Sequence, residues 1–334
     1  MTRRRTRSPV RDRGASKPSI PASVMKTFEA LAIQAVALAS YVVKAVTTRS
    51  MMKRFNEQLG TRPLSDLPVE VWRAGATAFI LGSGPSINGM SDDQWRHVRQ
   101  GTSIGFNWWL HHPHVPDLYV FEDALETHRD TLQQRADAYA SVPVILKHLV
   151  CGFTADPQAE QLELLRDYPP EVLAHTYLSS ELPLRGNSPL QLRHALRLAA
   201  WLGLFRTSRR VQWLPIRSSS LTYLIALCVR AGFDEIVLCG VDLNRPGTFY
   251  STPEELEAGI DPAGRDGRAT PIHETEDPSY KSLPISTILS VLDQQVLHPR
   301  GIQLWVAHPG SALAGVLPVY AWEDSARPMQ AGGR

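Results

Sequence analysis

The apolar residues of this chain fall into short runs separated by polar turns. Residues 76–81 (ATAFIL), 102–106, 118–121, 142–146 (VPVIL), 236–240 (IVLCG) and 302–306 (IQLWV) are such runs. Within them apolar residues are continuous rather than alternating, which fits strands buried on both faces. Between the runs lie helical signals. Ser91 followed by Gln94 reads as a capping box that starts a helix. Ser218-Ser219-Ser220 precedes LTYLIALCVRAG, a helix expected to be capped by one of these serines and stopped by Gly232. A further helix is predicted over 285–296. The stretch 155–210 reads as mostly helical with few chemical signals, and 61–73 reads as a Pro-containing linker. Residues 251–272 are polar and rich in Gly, Pro and acids, the composition of a long mobile loop. No internal repeat is present. Alternating strand and helix predict an α/β fold: a Rossmann-like, mostly parallel sheet with helices on both faces.

Parallel sheets of this kind bind ligands beyond the C-terminal ends of their strands. Ser83, Asn107, Asp123, Asp242, Asn244 and His308 each follow a predicted strand, so the fold is expected to bring them together. Gly82-Ser83-Gly84-Pro85-Ser86 is a glycine-rich turn that either cradles a phosphate or simply turns the chain; it is neither the dinucleotide fingerprint nor a Walker loop. Arg217 with the three serines offers hydroxyl and N–H groups at a helix start, where the dipole favours an anion. His273 ends the long polar loop and is a candidate general base. His111, His112 and His114 surround Pro113 and lack a carboxylate partner at helical spacing, a poor metal site. Trp108 and Trp109 beside them read as core or acceptor-groove residues.

Composition adds limits. Of 334 residues, 43% are hydrophobic and 20% charged, which excludes a wholly disordered or collagen-like chain. Three cysteines (Cys151, Cys228, Cys239) are too few for a disulfide framework, and a reducing, cytoplasmic setting is expected. The formal charge of +2 conceals an asymmetry: residues 1–20 carry seven basic residues against Asp12, a net +6, leaving −4 for the rest. Such a body does not read as a nucleic-acid-binding domain. Residues 28–43 (FEALAIQAVALASYVV) are too short and too interrupted to span a bilayer. With basic residues on either side they suit the inner face of an anionic membrane, or equally a helix packed on the protein's own core or a partner subunit. A signal peptide is disfavoured because the apolar run continues past Ala37-Leu38-Ala39.

The ordered segments ILGSGPSI (80–87), Asn107, RSSSLTYLIALCVRAGFDEIVLCGVDL (217–243), His273 and HPGSALA (308–314) resemble glycosyltransferase family 42, the bacterial sialyltransferases that use CMP-sialic acid. The resemblance implies a GT-A-like nucleotide-binding domain over about 70–325 with a lid over about 244–280. It leaves outside a basic arm (1–24), the apolar helix (25–60) and a tail (326–334). It implies an inverting, metal-independent transfer without cofactor from a CMP-linked acid sugar to a glycan hydroxyl. Carried over by position, Gly82, Ser83, Gly84 and Ser86 would meet nucleotide and phosphate. Asn107, Asp123, Arg217, Ser219, Ser220 and Asp242 would complete the nucleotide site. His273 would be the base, and Tyr250 and Asn244 would stabilise the leaving phosphate. The chain departs from the family at Ser83, where the family has Asn, and at Asn244, where it has Tyr. Expected partners are the nucleotide-sugar donor, a glycan acceptor, a membrane surface reached through residues 1–60, and a second copy of the chain. Other readings are a degenerate transferase acting as a subunit of a glycan-assembly complex and a relative of the pterin pyrophosphokinase-like and flagellin-glycosylation group.

Overall fold

The computed structural model describes residues 51–122, 126–147, 162–211, 213–244, 247–252, 273–277 and 283–322, with scattered helical positions between 32 and 49. Ten strands are present among them: β1 (Arg62–Pro63), β2 (Thr77–Leu81), β3 (Thr102–Phe106), β4 (Leu118–Phe121), β5 (Val144–Leu146), β6 (Thr176–Leu178), β7 (Ser180–Pro183), β8 (Trp213–Ile216), β9 (Glu235–Cys239) and β10 (Gln303–Val306). Eight form one sheet in the order β1-β6-β5-β4-β3-β2-β9-β10, and every neighbouring pair is parallel. β7 and β8 form a separate parallel pair.

Each strand sends successive side chains to opposite faces, and both faces are covered. Ala78, Ile80, Ile104, Val120 and Ile145 pack against α5 (Pro189–Trp201), α6 (Ser220–Ala231) and α7 (Ile285–Leu292). Phe79, Leu81, Tyr119, Phe121 and Val144 pack beneath α1 (Asp92–Gln100), α2 (Glu126–Gln134), α3 (Ala136–Tyr139) and α4 (Pro170–Leu173). Burial on both faces is why the strands read as unbroken apolar runs. Helix α6 is buried at all but one of its residues, so it lacks a polar stripe; Gly232 ends it at φ +84°. The Ser91–Gln94 capping box forms as the sequence implied.

Two expectations are corrected. The stretch 155–210 is more mixed than expected, with strands interleaved among its helices in the described residues 162–210. It holds β6 and β7, with β8 just beyond. These strands are three or four residues long and two contain proline, so they carry too little pattern to distinguish them from helix ends. Residues 61–73 are not a linker: β1 pairs with β6, and Leu64, Leu67, Val69 and Trp72 are buried. Proline fixes the extended backbone there without removing apolar side chains from the core. The packed unit reaches back to the helical stretch 51–59, where Phe55 is fully buried. Among the described residues no helix is long and apolar enough to cross a membrane.

Candidate active site

From β2 the chain winds outward through β3, β4 and β5; after β8 it returns to the other side of β2 through β9 and β10. Strand order therefore reverses between β2 and β9, and the crevice outside their C-terminal ends is where such sheets take ligands. Two loops meet there. Gly82 N–H donates to Cys239 O at 2.8 Å and Gly84 N–H to Gly240 O at 2.8 Å. A Cβ on Gly82 would lie 2.6 Å from Gly240 O, and one on Gly84 2.6 Å from Asp242 Oδ2. The glycines are thus required by loop-against-loop packing, and these two N–H groups are already used by it.

Asp242 is 3% exposed. Its Oδ2 accepts from the N–H of Ser86 at 2.8 Å, while Oδ1 is buried with no hydrogen-bond partner among the described residues. A buried carboxylate oxygen is expensive to leave unpaired, and it lies beside the glycine loop. Leu243 takes φ +62°, a left-handed conformation disfavoured for a branched side chain. Its carbonyl accepts from His273 N–H at 2.8 Å, which brings the histidine to the same loop. Asn244 Nδ2 donates to Gly310 O at 3.2 Å, and Ser311 Oγ to Val241 O at 2.6 Å, so the loop after β10 joins too. There His308 Nδ1 accepts from Gly310 N–H at 2.9 Å.

His273 is exposed. Its Nδ1 lies 2.9 Å from Thr275 Oγ1 and accepts from Thr275 N–H at 3.2 Å. In that arrangement the neutral ring keeps its proton on Nε2; a reversed bond, with Nδ1–H donating to Thr275 Oγ1, frees Nε2 as a base. Phe249 N–H donates to Ser83 O at 2.9 Å and Asn88 Nδ2 to Phe249 O at 2.8 Å, so residues 247–252 lie over the glycine loop. The Phe249 ring packs on Trp109 and His112, and Tyr250 lies 4.8 Å from His111. Burial lowers the pKa of His111 and His114, and lowers that of His112 to about 4, with His114 and Arg135 adding to the shift at His112. His111 stacks on Trp108 and His112 on Trp95 and Trp109, while His114 lies tilted against Trp95. Among the described residues no three His, Cys, Asp or Glu come together as a metal site.

The remaining positions follow β3, β4 and β8, and the turn after β8 reaches the end of β4 through the bond from Ser220 to Glu122. Asn107 follows β3 at φ +50°, with its carbonyl accepting from the Tyr119 hydroxyl. Among the described residues the three non-glycine residues with positive φ are Asn107, Ser218 and Leu243, each beyond a strand's C-terminal end. Such strain collects at functional sites. Ser219 is the N-cap of α6 by its backbone, yet none of the three serines makes a capping bond; the capping expectation is corrected. Thr222 holds the turn instead, its Oγ1 accepting from Arg217 N–H and donating to carbonyls within the turn. Ser219 Oγ is buried with no partner among the described residues. Arg217 turns toward Gly186 O, at 2.7 Å, and burial followed by nearby Arg185 lowers its pKa. Asp123 lies outside the described residues, as does most of the expected lid.

Sequence reasoning missed a cluster here. Lys147 follows β5 directly and is fully buried. Its Nζ lies 2.6 Å from Glu122 Oε1, 3.7 Å from Glu181 Oε1 and 3.1 Å from Ser220 Oγ, and Ser220 also donates to Glu122. The strand-end rule that selected Ser83 and Asn107 would have selected Lys147 as well. A cavity of about 250 Å³ also opens beside the switch point, lined by Ser86, Met90, Gln94, Gly240, His308, Tyr320 and Trp322.

This architecture is Rossmann-like: a parallel sheet with helices on both faces and a crevice at the strand reversal. No family model and no curated protein matches the chain. Among solved structures it is similar to the sialyltransferase CstII from Campylobacter jejuni in complex with cytidine-5'-monophosphate, at 14% identity and a TM-score of 0.37, over 75% of this chain and 86% of that one. The same enzyme with CMP-3FNeuAc gives 14% identity and a TM-score of 0.40, over 74% and 87%. A likeness this distant assigns no residue a role.

Proposed function

We propose that the chain is an inverting, metal-independent glycosyltransferase that moves sialic acid, or a related CMP-activated acid sugar, from CMP to a hydroxyl of a surface or lipid-linked glycan. The observation that carries the reading is the switch-point crevice itself. There a glycine-rich loop, a buried carboxylate with one unpaired oxygen, and a histidine tethered through Leu243 meet. Gly82, Ser83, Gly84 and Ser86 border the nucleotide and its phosphate. Asn107, Asp123, Arg217, Ser219, Ser220 and Asp242 complete the cytidine and ribose side.

In the reaction the acceptor oxygen bonds to the anomeric carbon while that carbon's bond to the phosphate oxygen breaks. The bonding electrons leave with CMP, and the acceptor proton passes to Nε2 of His273. This needs the tautomer in which Nδ1–H donates to Thr275 Oγ1. Tyr250 and Asn244 face the negative charge that grows on the leaving phosphate. Cytoplasmic residence, with peripheral attachment to the membrane's inner face through residues 1–60, belongs to the same proposal.

One observation favours a second reading, a degenerate subunit of a glycan-assembly complex: the N–H groups of Gly82 and Gly84 are closed onto Cys239 and Gly240. Calorimetry with CMP and CMP-sialic acid, run beside turnover for wild type and His273→Ala, separates the two. Retained CMP binding with turnover lost in the variant supports the transferase. Absence of CMP binding in the wild type refutes both the donor and the site. Binding without turnover over a broad acceptor panel selects the subunit.

A further inference from the structure

Helix α5 buries Leu192, Ala195, Leu196 and Ala199 against α7 and the turn Asp293–Leu297. At 100° per residue the opposite face carries Leu190, Arg193, Arg197 and Trp201, all exposed. Trp201 is 79% exposed and Leu190 50%. They stand eleven positions apart, three turns and about 16 Å along the same line of the helix, with the two arginines between them. An aromatic side chain left this open, in line with an exposed leucine on the same helix, marks an interaction surface.

The sequence around α5 is basic, although Arg209 pairs with Glu70 at 3.5 Å and Arg217 and Arg230 turn inward onto Gly186 O and Gly203 O. From Leu182 to Phe233 the chain carries eight arginines and no aspartate or glutamate. The two elements packed against α5 contribute one carboxylate between them, Asp293, which is half-buried. We infer that the outer face of α5 docks on an anionic lipid bilayer, lying in the plane of the membrane. Trp201 sits at headgroup depth, Leu190 enters the acyl boundary, and Arg193 and Arg197 meet lipid phosphates. A nucleic acid would engage the arginines but leave both apolar side chains in water, so the bilayer is the better complement. This proposal uses none of residues 1–60 and is independent of the reaction catalysed.

The test uses the full chain and vesicles of phosphatidylcholine, either pure or with roughly one-third phosphatidylglycerol. Wild type is expected to sediment with the anionic vesicles and hardly with the neutral ones. Arg193→Gln with Arg197→Gln should lower the partition coefficient about 30-fold, since each basic residue at such a surface contributes about fivefold. Trp201→Ser should lower it further, and it should abolish the blue shift in tryptophan emission that vesicles induce. All four side chains are exposed, and Arg197 Nε gives up one exposed bond, to Gln295 Oε1 at 3.1 Å, so thermal melting in the absence of lipid should change little. The proposal is overturned if the triple variant partitions as wild type does, which would assign binding to residues 1–60. Equal binding to neutral vesicles, no vesicle binding at all, or a preference for duplex DNA that the same substitutions remove would each overturn it too.

Discussion

A single pair of atoms decides what His273 can do. Its Nδ1 faces both the hydroxyl and the N–H of Thr275, and only the hydroxyl can accept a proton from the ring. Thr275→Val removes the acceptor and holds the proton on Nε2, which under the proposed mechanism blocks the base. The expected result is a kcat lower by about tenfold or more with KM nearly unchanged, and Thr275→Ser restoring the rate. His273→Ala should lower kcat by about 100-fold or more and leave CMP affinity within about threefold. Both are read from steady-state turnover beside calorimetry. Gly240 sets a different constraint. It holds φ +64°, and a Cβ there would lie 2.5 Å from Gly82 O. Gly240→Ala is expected to destabilise the fold by about 2–4 kcal/mol, seen as a lower urea midpoint, because it adds left-handed strain to a backbone clash.

At the scale of elements, the ends of β4, β5 and β7 and the start of α6 are joined by Lys147. One buried ammonium faces two carboxylates and a hydroxyl. Lys147→Met leaves Glu181 buried without that cation and should cost about 3–5 kcal/mol in a urea melt; adding Glu181→Gln should recover part of it. The turn that carries His111, His112 and His114 gives a pH response of defined sign. The folded pKa of each is depressed, so the folded state binds fewer protons than the unfolded chain as pH falls below 6.5. Their contribution to stability is whole above pH 6.5 and is lost toward the His112 value of about 4. The melting temperature should therefore fall between pH 7 and 4, and fall less in His112→Phe, which keeps the stacking on Trp109 without a titrating ring.

For the molecule as a whole, the sheet was legible in the sequence where strands were long and unbroken. The six runs that predicted strands became β2, β3, β4, β5, β9 and β10, and the residues after β2 and β9 do converge. β6, β7 and β8 were not legible, because three or four residues with a proline among them carry no period. Lys147 was passed over because a lysine looks like a surface residue until its two carboxylate partners, one of them 34 positions away, are placed beside it. The strand order has one further consequence, for how the chain is made. β2 lies inside the sheet, third from its β10 edge, yet one of its neighbours is β9, with Thr77 opposite Glu235, 158 residues later. At synthesis rates of about 5–20 residues per second, the β9-facing edge of β2 stays open for roughly 8–30 s after β2 emerges. Half of the glycine crevice cannot close until then. A chain ended at Gly232 should accumulate as aggregate rather than as a soluble half-domain, whereas extension through Ala314 should return it to the soluble fraction. The nascent protein thus depends on whatever covers a bare strand edge during that interval.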